Sequence, residues 1–561
     1  MVRAAIALTA VLVAAACGCR SGSAIDRPVE RAVPRLSQFV PGEATPQRKA
    51  KFEAIRGKLD ALFQARVREA HATGAAVGIV LDGELVYAKT FGVRDQVSNQ
   101  PVDADTIFRI ASMTKSFTAL AIMKLRDDGR VVLDAPAATY IPELRTFAGL
   151  PRDAPEITVR MLLTHASGIA FDDFWGGDTF GMSDDELTRF IQSGIGLSYA
   201  PGTRYQYSNL GYALLGRIVE RASGRPFRAY VTAEILKPLG MDSTVWEAGD
   251  VPAARLAMGY LRRGDELVPE PRPPDGVFAA AGGLYTSLHD YARYVAFNLT
   301  AYPPRDDADT GPVRRSTLRE MHDGQRWMHV DERDGPVARQ TAEGISLRSG
   351  SYGYGWHNLT TCAFEGLVQH GGYEPGYFSN VVLLPRTGVG IFVLATTSPV
   401  FGSAVLGPLR EAGLLAPPAP PPIGRSMAEA ADAVNQLLER WDEARLRAIF
   451  DAPSLRFSWF ASLRDDFARL TAEHGHCHPD GPAQPHGALR ATWSLACERG
   501  SIEFDGIMTP AVPPRLQIVN WRDEMPAAGD ALKAVAGVLS LMRHWDERAA
   551  SKLFAANMDR G

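Results

Sequence analysis

The β-forming residues of this chain cluster at the two ends of the stretch between Ala75 and Thr397, and that placement constrains the fold more than any other feature. Residues 75–81 and 84–89 are apolar or β-branched runs joined by Asp82-Gly83, the signature of a tight hairpin. Far along the chain, 364–369, 377–384 and 389–397 are strand-like too, the last two joined by Pro385-Arg386-Thr387-Gly388. Together these runs predict one antiparallel sheet drawn from both ends of a domain, with helices packed against it.

Between them the pattern is largely helical. Phe52, Ile55, Leu59, Leu62, Phe63 and Val67 recur at helical spacing and predict an amphipathic opening helix over 51–70. Residues 106–110 read as a brief strand and 114–128 as an apolar helix. Residues 158–169 are predicted as a helix closing at Gly168, with His165 near its end as a capping or core residue. The aromatic, Gly-bearing loop 171–177 either lines a cleft or covers the core. A further helix runs through Tyr291, Tyr294 and Phe297, and 306–340, charged and without periodicity, is expected to be an exposed insertion.

At 561 residues the chain exceeds one ordinary domain. The run Ala-Pro-Pro-Ala-Pro-Pro-Pro at 416–422 is a stiff, extended spacer. The expected organisation is therefore a main domain over 51–412, a linker over 413–425 and a small α+β domain over 426–561, loosely like the cystatin or NTF2 shape. In that last part 427–450 is predicted helical, and 489–496, 500–508 and 515–521 are strand-like. The stretch 437–443, Leu-Leu-Glu-Arg-Trp-Asp-Glu, recurs at 541–547 as Leu-Met-Arg-His-Trp-Asp-Glu. Either a second repeat is truncated from about residue 530, or two helices share amphipathic residues.

A net charge of −4 with acids interspersed among the basic residues leaves no footprint for nucleic acid. Arg3 precedes the apolar run 4–16, which is too short to span a bilayer and ends in Ala14-Ala15-Ala16-Cys17-Gly18-Cys19, so 1–19 reads as a signal peptide. This end resembles the lipobox of bacterial lipoproteins, with alanine where leucine is usual. The resemblance implies lipidation at Cys17 rather than Cys19 and export to the bacterial cell envelope with a membrane anchor, and the Pro-, Arg- and Ser-rich stretch 20–50 reads as a tether. Ordinary secretory cleavage is the alternative, and it also exports the chain. Cys477 and Cys497 share a segment and either pair or remain buried thiols, while Cys362 has no evident partner. The run His474-Gly475-His476-Cys477-His478 has metal-binding residue types but stands in a polar loop, and no metal or cofactor is assigned. Nothing in the pattern signals an oligomeric state.

Three short stretches carry chemistry. In 108–115, Phe-Arg-Ile-Ala-Ser-Met-Thr-Lys, Ser112 stands at a helix start and Lys115 three positions on, along the same face. Free backbone N–H groups there favour negative charge. Taken alone the pair is equally a cap serine and a surface lysine. Tyr207 and Asn209, two apart in an extended loop, can face one cleft, or be a packed tyrosine and a helix cap. His370-Gly371-Gly372-Tyr373 ends a strand, where His370 by itself is a surface residue or a catalytic one.

In that order, Ser112-x-x-Lys115, Tyr207-Ser208-Asn209 and His370-Gly371-Gly372 resemble the three motifs of serine β-lactamases and penicillin-binding proteins. Their flanks at 108–111, 162–168, 207–212, 282–284 and 354–356 resemble the β-lactamase-related serine hydrolases, the class C group that includes esterases, D-aminopeptidases and D,D-peptidases. The likeness runs from about Phe52 to Thr397. It implies an α/β (α+β sandwich) fold, an antiparallel sheet with helices on both faces plus an all-helical subdomain. It also implies an acyl-enzyme on Ser112, with Lys115 and Tyr207 as the base pair and Asn209 orienting substrate and lysine. The oxyanion hole would be the N–H groups of Ser112 and Tyr373, beside Gly372. Penicillinases carry Lys-Thr-Gly where His370 begins the third motif here, so the expected substrate is a small ester, amide or D-amino-acid peptide. A weak β-lactamase is one alternative. A catalytically silent scaffold binding a cell-wall peptide or protein partner is another.

Overall fold

The computed structural model describes residues 45–145, 153–172, 181–264, 266–270, 275–305, 307–332, 347–361, 364, 366–397, 405–415, 424–487, 489–511 and 513–524. The Cys17-Gly18-Cys19 site, the tether up to 44, the aromatic loop beyond Asp172, Cys362, the proline run and the second repeat copy lie outside the described residues. The described residues divide into two compact units, the first ending by Pro418. None of their helices is long and apolar enough to cross a membrane.

The first unit opens with helix α1 (Pro46–Glu69), the hairpin β1 (Gly74–Leu81) and β2 (Glu84–Asp95), and the short strands β3 (Gln100–Pro101) and β4 (Phe108–Arg109). Helix α2 (Thr114–Asp127) leads into α3 (Val159–Leu163), α4 (Asp184–Ser193), α5 (Asn209–Ser223) and α6 (Phe227–Val231). A small hairpin, β5 (Tyr260–Arg263) and β6 (Glu266–Pro269), is followed by α7 (Ala279–Gly282) and β7 (Tyr285–Thr286). Helices α8 (Leu288–Leu299) and α9 (Arg315–His322) return the chain to the sheet. It is completed by β8 (Arg326–Glu332), β9 (Leu347–Tyr352), β10 (His357–Thr361), β11 (Leu367–Glu374), β12 (Tyr377–Leu384) and β13 (Val389–Thr396), before α10 (Leu406–Glu411).

Nine strands form one sheet in the order β3-β2-β1-β13-β12-β11-β10-β9-β8. The seam between the two ends of the chain is the antiparallel β1–β13 pair, with Ala75 opposite Ala395 and Leu81 opposite Val389. Because side chains alternate along a strand, β1 serves two cores. Ala75, Val77, Ile79 and Leu81 pack with Phe52, Leu59 and Phe63 of α1 and with Leu406 and Leu409 of α10. Ala76 and Val80 face the opposite cluster, with Phe117 of α2, Leu214 of α5 and Tyr291 of α8. The sheet thus has helices on both faces, as the resemblance implied.

Several local expectations are corrected. Residues 306–340 are not a plain exposed insertion: they contain α9, with Leu318, Met321 and His322 buried, and the sheet-edge strand β8. Arg315, which pairs with Asp307 and Asp309 at 2.7 and 2.9 Å, makes this stretch look merely charged. The helix expected over 158–169 stops at Leu163, and His165 adopts φ of 54°, a left-handed conformation that no helix continues through. The strand expected at 364–369 starts at Leu367 and runs through the third motif to Glu374.

The second unit consists of α11 (Arg425–Glu439), α12 (Glu443–Ile449) and α13 (Ser458–His474) against β14 (Cys477–Pro479), β15 (Gln484–Gly487), β16 (Arg490–Cys497), β17 (Ser501–Met508) and β18 (Leu516–Glu524). Val434, Leu437, Leu463 and Phe467 of the helices meet Trp493 and Phe504 of the sheet. The single helix expected over 427–450 is two, because Asp442 restarts it by accepting the N–H groups of Ala444 and Arg445. Cys477 and Cys497 stand opposite each other on β14 and β16 and are disulfide-bonded. That bond takes the thiol out of the 474–478 run. His474 is buried, with Nδ1 2.6 Å from the Arg499 carbonyl and Nε2 3.4 Å from Asp523 Oδ2.

Candidate active site

Strand β11, the loop before α5 and the turn before α2 converge on a cleft of about 500 Å³ lined by Ser112, Tyr207, Asn209, His370, Gly372 and Tyr373, among others. Ser112 lies on a single tight turn, Ala111–Met113, directly ahead of α2. Ala111 before it has φ of 46°, an unfavourable conformation for a residue with a Cβ. The neighbours hold it there. Ile110 donates its N–H to Leu284 O at 2.9 Å, and its carbonyl accepts from Ser379 Oγ at 2.7 Å. Gly372 presses against the same turn so closely that a Cβ would stand 2.1 Å from Ile110 O and 2.3 Å from Ser379 Oγ. The third motif ends in glycine because its backbone must touch the serine turn.

Lys115 is fully buried, which removes the surface-lysine alternative. Its Nζ donates to Ser112 Oγ at 3.1 Å, Asn209 Oδ1 at 2.6 Å and Ala281 O at 2.9 Å, three acceptors for three protons. The same nitrogen stands 4.8 Å from the centre of the Tyr207 ring. Tyr207 Oη donates to Ser112 Oγ at 2.9 Å. The serine oxygen therefore receives hydrogen bonds from both the lysine and the tyrosine.

The loop carrying Tyr207 and Asn209 is clamped from two sides. His165 Nδ1 accepts the Ser208 N–H at 3.1 Å. Burial, then the Lys115 charge, pushes the His165 imidazole well below its ordinary range, so it stays neutral and able to accept. It packs under the tyrosine, its ring 4.4 Å from that of Tyr207. On the other side the carboxylate of Asp172 accepts the N–H groups of Asn209 and Leu210, both at 2.7 Å, and the Ser208 hydroxyl at 3.2 Å. Sequence reasoning missed Asp172. As one of two acids in an aromatic loop, it carries no spacing signal that would single it out.

His370 is buried, with Nδ1 2.6 Å from the Gly371 carbonyl and Nε2 3.1 Å from Tyr352 Oη. A carbonyl only accepts, so the geometry assigns the proton to Nδ1 and makes Nε2 the acceptor from Tyr352. Burial, then His357 and Lys115, keeps this imidazole uncharged. His357 also lines the cleft and is lowered to about 4 by burial, then by the charges of Arg348 and His329. Tyr373 is exposed at the mouth. Among the described residues the side chains grouped closely enough to hold a metal ion are Glu473, His474 and Asp523 of the second unit, where Arg469 pairs with both carboxylates, and none lies in the cleft.

The predicted site residues of the main domain thus meet at one place. Comparison with known proteins points the same way. The beta-lactamase family model matches residues 59–414. The chain is 31% identical over 386 residues to Esterase EstB of Burkholderia gladioli, covering 64% of this chain and 94% of that protein. It is 26% identical over 341 residues to Protein flp of Staphylococcus aureus (strain COL), spanning 60% of this chain and 62% of that one. The octameric penicillin-binding protein homologue from Pyrococcus abyssi shares the fold, with a TM-score of 0.51 at 23% identity over 84% of this chain and 96% of that one. The chain belongs to the beta-lactamase family and is a serine hydrolase of the esterase and beta-lactamase type.

Proposed function

We propose that the first unit hydrolyses uncharged esters, and more slowly amides, through an acyl-enzyme on Ser112. The observation that carries this reading is Lys115, a buried ammonium with its three protons on Ser112, Asn209 and a backbone carbonyl. Burying a charge costs several kcal/mol even when it is paired, on the order of what a reactive centre must justify. In the reaction Tyr207 first gives its hydroxyl proton to solvent, the phenolate being favoured by the neighbouring ammonium, and then takes the Ser112 proton while Oγ attacks the carbonyl carbon. The N–H groups of Ser112 and Tyr373 receive the oxyanion. Tyr207 returns the proton to the leaving alcohol. It then deprotonates the water that attacks the acyl carbon and passes that proton to Ser112 Oγ, 2.9 Å away, as the ester bond to serine breaks and the acid leaves. Asn209 fixes Lys115 and contacts the acyl side of the substrate.

Two findings favour an ester without a carboxylate. The relative at 31% identity is an esterase by name. The neutral His370 offers no cation at the position where a lysine would hold a β-lactam carboxylate. The test is labelling with a fluorophosphonate and turnover of p-nitrophenyl butyrate, wild type against Ser112→Ala. Both are expected in the wild type and absent from the variant. Cephalosporin and D-Ala-D-Ala peptide turnover is expected to be slower by about 100-fold, the worth of one lost charge-assisted contact. No Ser112-dependent adduct with any acyl probe would establish a silent scaffold instead. From the N-terminal sequence we also propose export and lipid anchoring at Cys17, which the Cys477–Cys497 disulfide supports because such bonds persist in oxidising compartments. Incorporation of labelled palmitate should be lost in Cys17→Ala and kept in Cys19→Ala.

A further inference from the structure

Resting on that reading, we infer that Asp172 is the positioning residue that sets Tyr207 and Asn209 for reaction. The argument starts from the donors at the head of α5. The Ser208 N–H goes to His165 Nδ1, the Asn209 N–H to Asp172 Oδ1, the Leu210 N–H to Asp172 Oδ2, and the Gly211 N–H to Ser208 Oγ at 3.1 Å. The Ser208 hydroxyl proton goes back to Asp172 Oδ2. Each of these donors is committed, and two of the five end on a single carboxylate oxygen. The residues so fixed are Asn209 itself and the two that follow Tyr207 and Asn209 in the chain.

Helix capping alone does not require this carboxylate. Ser208 already caps α5 through its own hydroxyl, and α4 manages with an exposed Ser183–Glu186 capping box and no outside acid. A buried carboxylate costs desolvation that a surface cap avoids. What Asp172 adds is direction. It reaches across 36 residues to Ser208 and fixes the peptide plane between Ser208 and Asn209. Tyr207 Oη and Asn209 Oδ1, on either side of that plane, must lie 2.9 and 2.6 Å from their partners on Ser112 and Lys115. A shift of about 1 Å at such atoms is worth about 100-fold in rate.

The experiment measures ester hydrolysis and fluorophosphonate labelling by the full chain carrying Asp172→Asn, with Ser183→Ala as a control that removes a remote cap. The amide introduced by Asp172→Asn would turn an N–H donor toward donors, so kcat is expected to fall by about 100-fold, with KM within about threefold and labelling slowed in parallel. Ser183→Ala is expected to lower Tm, as the loss of a helix cap does, and to keep kcat. If Asp172→Asn does not fold, Asp172→Glu, which keeps the charge but displaces it by one methylene, is expected to fold and lose kcat. A kcat within threefold of wild type in either Asp172 variant overturns the role, as does a matching loss in Ser183→Ala. Absence of any Ser112-dependent turnover overturns the functional reading and this one with it. Ser112-dependent turnover that survives Asp172→Asn overturns only the positioning role.

Discussion

The two faces of the central sheet are built on opposite terms. On one, α1 and α10 lay Phe52, Leu59, Phe63, Leu406 and Leu409 over Ala75, Val77, Ile79 and Leu81 of β1, and the contact is mainly apolar, with polar ties such as Arg48–Asp82 and Tyr87–Asp60 beside it. On the other, α2 is buried from Thr114 through Met123, yet that stretch includes Lys115, Ser116 and Thr118. Each has its partners. Ser116 Oγ donates to Met113 O and accepts from Tyr294, both at 2.9 Å, and Thr118 Oγ1 donates to Ala280 O at 2.7 Å. Most buried polar groups are matched in this way. The first face gains stability from area without needing particular geometry. The second gives up part of that gain to hold a few polar atoms within tenths of an ångström.

The sharpest way to break this contrast is to substitute on each face and read both activity and stability. Lys115→Met on the polar face should cut ester kcat by about 10³- to 10⁴-fold, the range for losing a positioned acid–base group. Its stability should fall modestly, because methionine leaves Asn209 Oδ1 and the Ala281 carbonyl without the lysine as donor, a loss of about 1–3 kcal/mol per acceptor offset in part by the desolvation that a buried ammonium no longer costs. Kinetics together with urea unfolding would check both halves. A Lys115→Met protein with near-wild-type kcat would mean the polar face is merely structural. Phe63→Ala on the apolar face should do the reverse. Phe63 is fully buried, its ring 5.7 Å from that of Tyr87, and its loss should cost about 3–5 kcal/mol. The kcat of the molecules that remain folded should hold, as titration of active sites with a fluorophosphonate would show.

The same contrast explains what was legible in the sequence. The apolar face could be read directly. Phe52, Leu59, Phe63 and Val67 at helical spacing, and the hairpin around Asp82-Gly83, announce their partners by pattern alone. Strands β12 and β13 were equally plain because they are buried and apolar. Strands β9 and β10, Leu-Arg-Ser-Gly-Ser-Tyr and His-Asn-Leu-Thr-Thr, gave no such pattern, since strands near a sheet edge need few apolar residues. At the site, Ser112, Lys115, Tyr207, Asn209 and His370 were found through motif order rather than periodicity. Asp172 was not, because its role depends on where two loops 36 residues apart meet. Helix α13 was missed as well; its cap carries no side-chain signal at Phe457.

The smallest effect lies at the rim of the polar face, where α9 buries His322. Asn298 Nδ2 donates to Tyr294 O at 2.9 Å, so Asn298 Oδ1 is an acceptor and His322 Nε2, 3.0 Å from it, carries the proton. Burial lowers this imidazole to about 3. In the unfolded chain a histidine titrates near its ordinary value of about 6.5. Between those values the unfolded state holds a proton that the folded state refuses, so stability must fall as pH drops from about 6.5 toward 3, by up to about 1.4 kcal/mol per pH unit. His322→Gln keeps a side-chain N–H for Asn298 Oδ1 and removes the titration. Urea midpoints measured from pH 7 to pH 4 should therefore decline less steeply in the variant, by about one proton's worth of slope near pH 4.5. The slope that remains belongs in part to His165, His357 and His370, which burial also keeps neutral. An unchanged slope would mean that His322 is protonated in the folded protein and that the polar face admits a charge there, Nε2 still donating to Asn298 and Nδ1 carrying the added proton.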